Sequence, residues 1–82
     1  MIKAPVIIGN VATTQQRLIA LIVQEANQYS SAIYIQTDHK KINAKSIMGM
    51  MTLALGQGDM VTVVADGEDE EKAIKNIIRF LK

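Results

Sequence analysis

The chain has 82 residues, 49% of them hydrophobic, with nine Lys and Arg against eight Asp and Glu and no cysteine. That length admits one domain, residues 1–82, and excludes a separate catalytic domain; the lack of cysteine excludes disulfide and thiolate chemistry; and a net charge of +1 supplies no overall drive toward nucleic acid. No apolar run approaches the ~18–20 residues of a bilayer span, and no basic segment leads into an apolar run and a small-residue cleavage site, so a soluble, cytoplasmic protein is expected.

Residues 2–8 read as a strand through Val6, Ile7 and Ile8. Pro5 has no N–H to give a neighbour, which assigns this strand to a sheet edge. Gly9 and Asn10 break it. Apolar residues then recur at helical spacing at Leu18, Ile19, Ile22, Val23 and Ala26, predicting a helix over 15–28 that Thr13 or Thr14 can cap. Tyr29, Ser30 and Ser31 end it.

Ile33, Tyr34, Ile35 and Thr37 have the β-branched and aromatic character of a strand, and Asp38-His39-Lys40 turns the chain into a second short strand over 41–44. Ser46 precedes Ile47, Met48, Met50, Met51, Leu53 and Leu55, a periodicity that suits a short helix with Ser46 as its N-cap. Met50, Leu53 and Ala54 are its expected core residues. Gly56 to Asp59 is a loop; its Gly56-Gln57-Gly58 is too short for a nucleotide-binding loop and follows a helix.

Met60 to Ala65 is the most strand-like segment and is expected at the centre of the sheet. Asp66-Gly67 turns the chain, and Ala73, Ile74, Ile77, Ile78 and Leu81 form one stripe of a helix over 69–81. Acidic residues 68–71 at its start and Arg79 and Lys82 at its end follow the helix dipole, which accounts for the acidic run without a metal. The order βαββαβα implies an α+β domain in two layers, with helices on one face of a mostly antiparallel four-stranded sheet.

Charge is uneven along the chain. Residues 1–45 carry Lys3, Arg17, Lys40, Lys41 and Lys45 against Glu25 and Asp38, a balance of +3, whereas residues 46–82 balance at −2. The basic half is the expected place for an anion. No Ser-His-Asp, paired-carboxylate or metal-ligand constellation stands out, so neither enzymatic activity nor a cofactor is expected. His39, the only histidine, sits in the hairpin turn.

The run Asn43-Ala44-Lys45-Ser46-Ile47-Met48-Gly49-Met50-Met51, followed by Ala65-Asp66-Gly67-Glu68-Asp69-Glu70, resembles the bacterial HPr family of phosphocarriers, and within it the Crh (catabolite-repression HPr) subfamily. The likeness extends from Val23-Gln24 to the C-terminal helix. It implies the open-faced β-sandwich, a four-stranded antiparallel sheet covered on one face by three helices. In that family a Gly-Ile/Leu-His-Ala-Arg-Pro motif opens the first helix, and its histidine relays phosphate to sugar-transport enzymes. Aligned without gaps, the motif falls on Thr13-Thr14-Gln15-Gln16-Arg17-Leu18, where only the arginine survives.

Gln15 stands at the position of the phosphoryl acceptor. A glutamine amide nitrogen has its lone pair delocalised into the carbonyl and cannot take up or pass on a phosphoryl group. Glutamine here also matches the Crh-like proteins and implies regulation in place of transport. Thr13, Gln16 and Leu18 replace the motif's glycine, alanine and proline, which removes the freedom of a positive φ and the preset first turn and rebuilds the partner-facing surface. A relay through His39 would need an acid-labile, base-stable phosphate there, and no part of the motif covers that residue.

Arg17 lies in a first helical turn, where the dipole opposes a cation. It reads either as a solvated surface arginine or as a fork for phosphate or carboxylate, and the resemblance favours the fork. A serine ahead of an apolar helix is ordinarily an N-cap; the resemblance implies that Ser46 is also the family's regulatory serine, modified by HPr kinase/phosphorylase. A phosphoserine adds about −1.5 to −2 charges, and a helix N-terminus tolerates the anion, so phosphorylation is expected to create a charged surface without unfolding the helix. Ile47, Met48 and Met51 are the expected apolar docking residues, since methionine repacks readily against partners, and Gly49 is read as allowing close approach.

By the same resemblance the serine-phosphorylated form binds catabolite control protein A, a LacI-type transcription factor, with Arg17, Lys45 and phospho-Ser46 as polar contacts and with no direct contact to DNA or membrane. The alternative is a constitutive interaction or decoy module without phosphorylation dependence. That module would be able to form a homodimer by exchange of the first strand, for which Pro5 and the Gly9-Asn10 hinge leave room.

Overall fold

The computed structural model describes residues 1–9, 15–53 and 55–82; Asn10, Thr13, Thr14 and Ala54, to which the sequence assigns a strand break, a cap and a core position, lie outside the described residues. The elements are β1 (Ile2–Ile7), α1 (Gln15–Ala26), β2 (Ala32–Gln36), β3 (Lys41–Asn43), α2 (Ile47–Met50), β4 (Met60–Asp66) and α3 (Glu70–Leu81). This is the expected βαββαβα order.

The four strands form one sheet in the order β1-β4-β2-β3, antiparallel at every step. The strand with Pro5 is at an edge, where its missing N–H breaks no interior ladder. β4 lies inside the sheet between β1 and β2, in keeping with its run of β-branched residues. Alternation turns Val6, Val61, Val63, Ala65, Ile33 and Ile35 toward one face, where they join Leu18, Ile19, Ile22, Ala26, Ala73, Ile74, Ile77 and Leu81 in a single core.

Among the described residues no helix covers the opposite face. Val64 points into it and is still only 1% exposed, because its register partners Lys3 and Tyr34 flank it and the Lys41 ammonium lies 4.7 Å from the centre of the Tyr34 ring. Long side chains thus cover an apolar position that no helix reaches.

α2 is shorter than its apolar run implies. After Met50 the chain tightens through Thr52 N–H to the Gly49 carbonyl and Leu53 N–H to the Met50 carbonyl, each at 3.1 Å, and the Thr52 hydroxyl donates to the Gly49 carbonyl at 2.7 Å. These i→i+3 bonds close the helix after one turn while still burying Leu53 and Leu55.

The acidic run before α3 does more than match a dipole. Asp69 makes no side-chain cap on its own helix; its carboxylate accepts the backbone N–H groups of Ser30 and Ser31, each at 3.0 Å, and the Ser31 hydroxyl. Glu70 accepts the Gly67 N–H at 3.2 Å and holds the Met1 ammonium at 3.0 Å, and these contacts keep its carboxyl below the usual range. Gly67 is required by the same junction, since a Cβ there would lie 2.6 Å from the Cα of Ser31.

Candidate functional site

Ser46 is the N-cap of α2, with extended dihedrals (φ −98°, ψ 112°). Its hydroxyl oxygen accepts the Gly49 N–H at 3.1 Å, and its carbonyl accepts the Met50 N–H at 2.9 Å. The side chain is half-buried, so the hydroxyl serves the helix end and remains at the surface.

The segment entering Ser46 is held from three sides. The Lys45 N–H donates to Asn43 Oδ1 at 2.9 Å, an Asx turn of the kind that short polar side chains form two residues ahead. The Lys45 carbonyl accepts from Asn27 Nδ2 at 3.2 Å. The Lys45 ammonium donates to the Tyr29 carbonyl at 2.6 Å. Lys45, expected as a polar contact for a partner, is half-buried and braces the serine segment against the end of α1.

Tyr29 is itself fixed. Its hydroxyl donates to Glu25 at 2.5 Å and accepts from Asn76 Nδ2 at 2.5 Å, and burial, followed by the nearby Glu25, pushes its pKa up. The brace under Ser46 therefore reaches through Tyr29 to both long helices. Asn27, Tyr29 and Asn43 were not foreseen as parts of the site; of the three only Asn43, through its spacing to Lys45, has a local signal.

Beyond the serine, Ile47, Met48 and Met51 are exposed at 49%, 79% and 67%, while Met50 between them is fully buried. One turn of helix sorts four apolar residues into one for the core and three for the surface. Gly49 has an internal reason of its own: a Cβ there would lie 3.2 Å from Ile42 Cγ2 and 3.3 Å from Ser46 Oγ. The missing side chain lets α2 lie against β3 with the cap intact.

Gln15 opens α1, and its Nε2 donates to the Leu53 backbone carbonyl at 2.8 Å. This bond ties the start of α1 to the stretch just after α2. Arg17 is exposed two residues further on, so the turn that carries it borders the same junction. His39 is exposed in the β2–β3 turn, which is closed by Thr37 N–H to the Lys40 carbonyl at 2.8 Å. Among the described residues no group of three His, Asp or Glu is placed to hold a metal, and no helix is long and apolar enough to cross a membrane.

Comparison with known proteins places these features in context. A family model described as the PTS HPr component phosphorylation site matches residues 2–82. The HPr-like protein Crh of Halalkalibacterium halodurans is 50% identical over 68 residues, 83% of this chain and 81% of the relative. An HPr crystal structure from Thermoanaerobacter tengcongensis superposes with a TM-score of 0.87 at 42% identity, over 99% of this chain and 91% of the other. Crh of Bacillus subtilis, whose crystal structure is described as a domain-swapped, intertwined dimer, superposes with a TM-score of 0.76 at 41% identity, over 99% and 88%.

Proposed function

The chain belongs to the HPr family, and we propose that it is a regulatory member that carries no phosphate on histidine and is switched by phosphorylation of Ser46. HPr kinase/phosphorylase transfers the phosphoryl group to the Ser46 hydroxyl, and the modified protein acts as co-repressor of catabolite control protein A. Ser46 is a substrate in this reading, and the chain performs no catalysis of its own.

The observation that carries the proposal is the coincidence at α2 of a surface hydroxyl on a braced segment with three exposed apolar side chains one, two and five residues later. A phosphate added at that point joins a strong anion to an apolar patch, a combination that a partner can require in full before binding. We take Arg17, exposed in the first turn of α1, as a further partner-binding residue. Gln15 supports the loss of the relay: its amide nitrogen is engaged with the Leu53 carbonyl and has no lone pair for a phosphoryl group.

Incubation with the kinase and ATP, read by mass spectrometry, is expected to add one phosphate to the wild-type chain and none to Ser46→Ala. Only the phosphorylated form should bind catabolite control protein A tightly. Equal binding by Ser46→Ala would overturn the proposal.

A homodimer is the second reading. It is supported by the swapped dimer of the Bacillus subtilis relative and by the edge position of β1, whose exchange between chains would leave the rest of the sheet in place. Light scattering at high protein concentration tests it, and a strict monomer argues against it.

A further inference from the structure

We propose that Met48 and Met51 form an oxidation-sensitive switch on the docking surface, so that conversion of their thioethers to sulfoxides by a peroxide prevents the partner binding that phospho-Ser46 promotes. This inference rests on the docking role of α2 argued above. Without cysteine, the five methionines hold all the sulfur in the chain, and no thiol competes for a mild oxidant. Their exposure divides them sharply. Met48 and Met51 stand at 79% and 67%, whereas Met50 is at 0%, so adjacent residues of one short segment differ from solvent-borne to sealed.

The reaction is balanced by the oxidant alone. The thioether sulfur donates a lone pair to one oxygen of hydrogen peroxide, and the S–O bond forms as the O–O bond breaks. Sulfur loses two electrons, the peroxide is reduced, and the departing hydroxide takes the remaining proton and leaves as water. The product is a polar, chiral sulfoxide that reductases of protein methionine sulfoxide can return to the thioether.

The position of these two residues makes the change consequential. They are three residues apart around a single helical turn, with Ile47 beside them, and Met51 N–H bonds the Ile47 carbonyl at 3.0 Å. All three apolar side chains therefore belong to one patch. Oxidation of two of them replaces apolar tips with strong acceptors that a dry interface leaves unpaired. Met50, sealed in the core, keeps the fold while the surface changes. Phosphorylation switches the polar half of the site and oxidation the apolar half, so the site would bind only when the cell is both signalling through Ser46 and free of peroxide.

The test treats the phosphorylated protein with hydrogen peroxide, maps each methionine by peptide mass spectrometry, and measures affinity for catabolite control protein A before and after. Met48 and Met51 are expected to gain one oxygen each at least about tenfold faster than Met50. Affinity should fall by about tenfold or more and return after treatment with the sulfoxide reductase. When catabolite control protein A captures part of a partially oxidised wild-type pool, molecules oxidised at Met48 or Met51 should stay in the unbound fraction, while sulfoxide at Met1 and Met60, at 67% and 64% exposure, should divide evenly between bound and unbound. Binding that survives oxidation of the wild type, or an even division of Met48 and Met51 sulfoxides between the bound and unbound fractions, overturns this inference alone. Failure of the unoxidised phosphoprotein to bind overturns the function proposed above, and this inference with it.

Discussion

The amide nitrogen of Gln15 donates a 2.8 Å hydrogen bond to the backbone carbonyl of Leu53, which joins the start of α1 to the exit of α2. Gln15→Ala is expected to lower stability by about 0.5–1.5 kcal/mol, the net worth of one such bond, in urea unfolding. Kinase-dependent labelling of Ser46 should continue in the variant, because the brace through Lys45, Asn27 and Tyr29 does not involve Gln15.

Ser46 has two roles that substitution can separate. Ser46→Ala removes the acceptor for the Gly49 N–H and is expected to cost about 0.5–2 kcal/mol. Ser46→Asp keeps an acceptor oxygen at the cap and should unfold within a few tenths of a kcal/mol of the wild type. Thermal unfolding of the three unphosphorylated proteins checks the order.

Asp69 should make stability fall in acid. Hydrogen bonds from the Ser31 hydroxyl, then from the backbone of Ser30 and Ser31, hold its carboxyl at about 2, below the ordinary 3.8. Because the folded value is depressed, its contribution is complete above pH ~4 and is lost as the pH falls toward 2. Urea midpoints between pH 5 and pH 2 should therefore drop for the wild type and drop less steeply for Asp69→Asn. Parallel slopes would show that Asp69 does not supply the dependence.

Gly67→Ala places a methyl 2.6 Å from the Cα and Oγ of Ser31. One of those neighbours is backbone held in turn by Asp69, so the strand start has to move. A loss of about 1–3 kcal/mol, the usual range for overpacking, is expected in denaturant unfolding, with Gly58→Ala in the open loop as a measure of backbone strain without the clash.

The positions of the elements were legible because they rest on periodicity. The stripe Ala73, Ile74, Ile77 and Leu81 marked α3, and Pro5 marked an edge strand. Met50 and Leu53 were expected in the core and are there. The ends were less legible. α2 stops at Met50 and α1 at Ala26, since helix ends depend on which carbonyls find partners, and Thr52 and Asn27 supply partners that no apolar pattern reveals. The exposed trio at Ile47, Met48 and Met51 follows from helical spacing once one residue, Met50, is given to the core.

The sequence by itself determined the element order, the face each element buries and the lack of cysteine thiols, because these follow from residue type and short-range spacing. Only the tertiary structure decided that Gln15 clamps the Leu53 carbonyl, that Lys45 braces the serine segment through Tyr29 and Asn27, and that Asp69 belongs to Ser30 and Ser31. These contacts join residues 16 to 39 positions apart. Their partners are mostly backbone groups, which every residue carries alike, so nothing in the order of side chains distinguishes the one that will be met from the many that will not.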